Sequence, residues 1–243
     1  MFRAPKIFGF SVLALAFTSV TQAAPIVTSV SIVGNSFDFA QNGGIGTGHR
    51  FTNTLSGVQV NSLGVYYPTP GTYGATTVTA NTGTEQLVLA QITGAGTADV
   101  IAQVQVNVDA GTNAPDGLGF QYATLSAPVV LTQGASYLLL TNTKGNWEAN
   151  NSGGVNITLA AGFTALGAYA SFATVTGSGW ASGVAVTDTI AWSDLSSGDT
   201  DSAYGPVNFQ YQIIPEPGSM SLLWLGCVGV AALRRTFNRR SRG

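Results

Sequence analysis

Few side chains in this sequence can do chemistry, and their types narrow what that chemistry could be. His49 is the only histidine and Cys227 the only cysteine. A serine or cysteine nucleophile relying on a histidine base would have to use His49. No Gly-x-Ser-x-Gly turn is available to present a serine, and Cys227 lies in an apolar stretch near the C-terminus. Standing beside Arg50 after a glycine-rich run, His49 reads instead as a strand-edge residue. A zinc site of the His and Cys type is unsupported for the same reason. Carboxylates are more numerous. Asp116 and Glu148 fall in loop-like stretches, and acids from distant strands can act as a general acid and base pair, but spacing alone brings no two together. The densest acidic group is Asp194, Asp199 and Asp201. With neighbouring hydroxyls and Gly198 it offers the oxygen ligands that Ca²⁺ takes, although it lacks the EF-hand order and equally suits a solvated acidic turn. Trp147 and Trp180, with Tyr66, Tyr67, Tyr73, Trp192 and Tyr204, lie in or near loops, where aromatic faces can stack on sugar rings; such residues are also ordinary core material. The run 42–48 is not a phosphate loop, because no lysine follows it and no helix opens after it.

The elements that must position these residues are strands. Between residues 26 and 213 no apolar stripe repeats every 3.6 residues, whereas apolar or β-branched residues alternate over 26–33, 57–67, 86–92, 100–108, 120–125 and 207–213. The clearest case sets Val100, Ala102, Val104, Val106 and Val108 on one face, with Gln103, Gln105, Asn107 and Asp109 among the residues opposite. Glycine- and asparagine-rich punctuation at 41–48, 68–74, 109–117, 144–154 and 195–205 separates the runs. Half-buried antiparallel strands with frequent turns predict an all-β fold, a single antiparallel β-sandwich over 24–214. Within that body ten acids face only Arg50 and Lys144, a net charge of −8, so it has no basic patch for nucleic acid or anionic lipid. It has no cysteine, and burial and hydrogen bonding must stabilise it without disulfides.

Both ends of the chain read as addresses. Arg3 and Lys6 precede an apolar run at 7–17, and Thr21-Gln22-Ala23 sets small residues where a signal peptidase inspects the chain. Residues 1–23 are therefore read as a secretory signal peptide cut after Ala23, with Ala24 as a second candidate. At the other end Pro215-Glu216-Pro217 cannot join a helix or a central strand, since two fixed φ angles flank the acid and two backbone donors are missing. The uncharged segment 218–233 follows, then a basic tail, 234–243, with Arg234, Arg235, Arg239 and Arg240. A short apolar segment stopped by arginines suits a membrane helix whose basic end stays in the cytoplasm.

That order of three features at 215–243 resembles the PEP-CTERM sorting signal of Gram-negative bacteria. The resemblance implies a passenger held transiently in the inner membrane by its C-terminal helix, recognised by a membrane-embedded exosortase and cleaved at or near the motif. It further implies release to the cell surface or an extracellular matrix rich in exopolysaccharide. Two internal stretches add a looser likeness. Phe120-x-Tyr122 through Tyr137-Leu138-Leu139, and Val60-x-x-Leu63-Gly64-Val65-Tyr66, are similar to strands of secreted bacterial jelly-roll modules that carry varied surface anchors. The expectation is a non-enzymatic structural or adhesive surface protein with no cofactor; the alternative is a carbohydrate- or calcium-binding surface module.

Overall fold

The computed structural model describes residues 23–32, 46–66, 71–73, 76–78, 84–107, 116–142, 155–166, 170–175, 185–193 and 207–215. These residues form antiparallel strands and turns, with no helix among them. The strands are β1 (Ala24–Pro25), β2 (Val27–Ile32), β3 (Gly46–Asn53), β4 (Val58–Tyr66), β5 (Gly71–Tyr73), β6 (Thr76–Val78), β7 (Thr84–Gly94) and β8 (Thr97–Asn107). They continue with β9 (Phe120–Val130), β10 (Ser136–Asn142), β11 (Val155–Leu159), β12 (Phe163–Ala165), β13 (Ala170–Val175), β14 (Thr189–Ser193) and β15 (Val207–Ile213). Each alternating stretch of the sequence overlaps one of them, and the fold is all-β as expected. Residues 46–48, assigned by composition to a glycine-rich loop, are instead the start of β3. Gly48 fits there because a Cβ would collide with the backbone carbonyl of Leu139 in the adjacent strand.

Two sheets pack face to face. One has the order β1-β15-β4-β9; the larger contains β3-β10-β7-β8 in adjacent positions. Between them Phe51, Val60, Leu63, Leu87, Leu89, Leu139 and Phe209 are fully buried, and a cluster of rings formed by Phe51, Tyr137, Phe163, Phe209 and Tyr211 fills the centre. Offset and edge-on ring contacts of this kind add to the area term in holding the sheets together.

The larger sheet also closes on itself. β14 pairs with the edge strand β8, β13 pairs with β14, and β13 reaches β3, so β3-β10-β7-β8-β14-β13 forms a ring. The ring has its own core of Val88, Ala90, Ala98, Val100, Leu138, Leu140 and Ile190. Thus β7 and β10 are buried on both faces: Leu87 and Leu89 point into the sandwich, Val88 and Ala90 into the ring. In β8 the expected single inward face is split. Ala90 pairs with Val100 but Leu89 pairs with Ala102, a bulge at Ile101 that sends Val100 to the ring core and Ala102 and Val106 to the sandwich core.

The first and last strands are neighbours. Ala24 pairs with Tyr211 and Pro25 with Gln210. Ile26 N–H then donates to Phe209 O at 2.9 Å, before the chain leaves this sheet to pair as β2 with β11. At that departure the Asn208 side chain replaces a strand. Its Oδ1 accepts from the N–H groups of Val27 (2.8 Å) and Phe209 (2.9 Å), and its Nδ2 donates to Val27 O at 3.2 Å. Gly57, at φ 67°, takes the turn between β3 and β4, and its carbonyl accepts from Ile214 N–H at 2.8 Å.

Candidate functional site

His49 is not a strand-edge residue. It lies within β3, between β10 and β13, on the same face as Phe51, and is 2% exposed. Neither ring nitrogen has a hydrogen-bond partner among the described residues, and burial lowers its pKa to about 4, so the imidazole is a neutral core group. The alternation around Phe51 carried the signal for this placement, since His49 and Phe51 share a face of any strand.

The described carboxylates act as local acceptors. Asp116 Oδ1 takes the N–H groups of Leu118 (2.8 Å) and Phe120 (2.9 Å), and its Oδ2 takes the Tyr122 hydroxyl at 3.1 Å, which fixes the turn that opens β9. Burial, the Asp116 charge and that hydrogen bond together raise the Tyr122 pKa, keeping the phenol a donor. Asp188 Oδ2 accepts from Ala185 N–H and Asp99 Oδ1 from Thr189 Oγ1, each at 2.8 Å, at the start of β14. Glu85 is buried near Thr141, whose hydroxyl donates to it at 3.5 Å. No three His, Cys, Asp or Glu side chains converge as a metal-binding group among the described residues.

One feature that sequence reading missed is inside the ring. Arg50 faces away from Phe51 into the ring core, and its Cζ lies 4.8 Å from the centroid of the Trp192 ring on β14. Such a contact holds a guanidinium against an aromatic face at little cost in desolvation. Trp192 is half-buried against Val88 and its neighbours, which makes it a core residue of the ring and not part of an open platform. Tyr66 likewise packs edge-on against Phe120, with ring centroids 5.4 Å apart.

Of the residues singled out for calcium and sugar, Asp194, Asp199, Asp201, Trp147 and Trp180 lie outside the described residues, as do Glu148, Tyr67 and Tyr204. So do Glu216, Pro217, the segment 218–233 and Arg234, Arg235, Arg239 and Arg240. What is described is the point where the tail departs. The last backbone hydrogen bond among the described residues is that from Ile214 to Gly57, and Pro215, which follows it, is exposed. Ala23 is half-buried just before β1. No protein-family model matches the chain, and no curated protein is significantly similar to it.

Proposed function

We propose that this chain is an exported surface or matrix protein, delivered by an N-terminal signal and a C-terminal sorting signal that an exosortase cleaves, with a non-enzymatic β-sandwich as its cargo. The observation that carries this reading is the fit between the end of the fold and the start of the motif. Among the described residues backbone hydrogen bonding of the body ends at Ile214, and Pro215, first residue of Pro215-Glu216-Pro217, is exposed. A processing enzyme reads extended, unpaired backbone, and that is what a residue with no N–H beyond the last ladder bond supplies. The start of the chain fits the same scheme. Cleavage after Ala23 leaves Ala24 to pair with Tyr211, whereas cleavage after Ala24 would remove half of β1.

A jelly-roll identity for the body is supported by strand order. Taking β1, β3, β4, β7, β8, β9, β10 and β15 as the eight strands, the two sheets read first-eighth-third-sixth and second-seventh-fourth-fifth. That order is what two nested Greek keys produce. Under this reading β11 to β14 elaborate the connection before the last strand.

The test is intact-mass analysis of the surface protein from a host with and without an exosortase. The expected result is a chain beginning at Ala24 and lacking residues from Gly218 onward only where the enzyme is present. A surface protein that retains its full tail in the enzyme-positive host would refute the proposal.

A further inference from the structure

Three of the four large hydrophobic side chains exposed among the described residues lie at one end of the smaller sheet. They are Val130, Ile213 and Ile214, exposed by 59%, 44% and 38%. The fourth, Val186, is in the turn before β14. The register shows the grouping: Gln212 pairs with Gln59 and Gln59 with Val130, while Ile213 pairs with Val58 in the next row. The end of β15, the start of β4 and the end of β9 therefore meet at one pole. Its described segments, 23–25, 54–60, 128–135, 160–163 and 211–215, contain no charged residue, in a body whose net charge is −8. Asp116 lies at the opposite end, where β9 begins and Phe120 pairs with Tyr66.

Both chain ends leave through this pole. Since β1 runs antiparallel to β15, the chain preceding Ala24 and the chain following Ile213 leave the sheet in the same direction. The first comes from the apolar run 7–17 and the second leads into the apolar segment 218–233. Only residues 215–217 separate Ile214 from Gly218, a reach of about 14 Å even when fully extended.

Resting on the sorting reading above, we propose that the pole formed by Val130, Ile213 and Ile214 is a bilayer-facing surface, on which the body sits while the tail is membrane-inserted. The occupant is the lipid interface because the spacer keeps the pole within about 14 Å of the start of the apolar segment. Charge agrees: a body of net charge −8 is repelled least by an anionic leaflet where its surface carries no acid. Aliphatic side chains at such a contact sink to the headgroup boundary. A consequence is that the sorting motif is held at membrane depth, where a membrane-embedded enzyme works.

The experiment uses the tail-bearing chain, purified from a host that removes the signal but has no exosortase, carrying Cys227→Ser. Single cysteines are introduced as Ile213→Cys, Val130→Cys and Gly117→Cys, and labelled with an environment-sensitive fluorophore. Gly117 is the control because it lies beside Asp116 and a Cβ there meets nothing within 4 Å. Each protein is reconstituted into phosphatidylethanolamine and phosphatidylglycerol vesicles containing a nitroxide-labelled lipid. The expected result is flotation with the vesicles and at least about twofold quenching at positions 213 and 130, as for groups within roughly 10 Å of the acyl boundary. Position 117 stays unquenched. Flotation without quenching at 213 and 130, or with equal quenching at 117, overturns the pole and leaves the anchor standing. A chain that does not float overturns both. Shielding at 213 and 130 that needs an added exosortase makes the pole an enzyme-docking surface and overturns the lipid assignment.

Discussion

His49 is kept neutral by burial, as no acceptor or donor among the described residues reaches either ring nitrogen. In the unfolded chain the imidazole takes up a proton near pH 6.5, in the folded chain only near 4. The stability tied to this group is therefore complete above pH 6.5, declines as the pH falls through that window, and changes no further below about 4. Over the whole window the loss is about 3 kcal/mol. Urea unfolding at pH 7, 5 and 4 should show this decline. His49→Leu should remove that part of it and raise stability at pH 7 by about 1 kcal/mol, since two buried, unpartnered nitrogens are replaced by an apolar group. A variant with the parent's full acid sensitivity would place its origin elsewhere. His49 was the one histidine base the sequence offered by type, and type is a poor guide here. Burial converts a titratable group into packing, and burial depends on β10 and β13, which are distant in sequence.

At the level of elements, the Asn208 side chain ties the junction between β1 and β2 to the body where the strand ladder lapses. Asn208→Ala should cost roughly 2–4 kcal/mol, because the N–H and C=O of Val27 would both lose their partner in a fully buried setting. Gln212→Ala removes a side-chain bond to Gln59 in a half-buried place and should cost under about 1 kcal/mol; thermal melts of the two variants provide the comparison. Strand positions were largely legible from alternation, because one buried face imposes a period of two on β4, β8 and β15. The bulge at Ile101 was not. The run 98–108 keeps its alternation in the sequence while its apolar side chains change cores halfway along, and only pairing to β7 reveals the extra residue. The role of Asn208 was also hidden, since a polar residue at an alternating position reads as solvent-facing until its backbone partner is known. Pro215, in contrast, was legible as the end of the fold, because a residue without an N–H cannot extend the ladder.

For the whole molecule, the ring and the adjacency of the chain ends are what sequence could not supply, since both come from pairings between remote segments. Ala24 meets Tyr211, and β15, the last described strand, lies between β1 and β4 in the interior of its sheet. The smaller sheet therefore cannot be completed until that strand is available, and Phe209 must find Leu63 across 146 residues of chain. Contacts of such long separation slow folding, because loop closure is lost before any pairing is gained. The same geometry allows the order to be rearranged. Ile214 lies three residues beyond Tyr211, roughly 10 Å along the strand from the level of Ala24, a gap that about five Gly and Ser residues span. A circular permutant with Ile214 joined to Ala24 by such a linker, and opened between β10 and β11, shortens the Phe209 to Leu63 separation to roughly 50 residues. Every β15 pairing in the smaller sheet is kept. The permutant should melt in one cooperative transition with the parent's far-ultraviolet dichroism, and should refold faster in stopped-flow dilution from urea. Equal or slower refolding would mean that β15 docks after the rate-limiting step; loss of cooperative melting would mean that the ends are not neighbours in the way the β1 and β15 register describes.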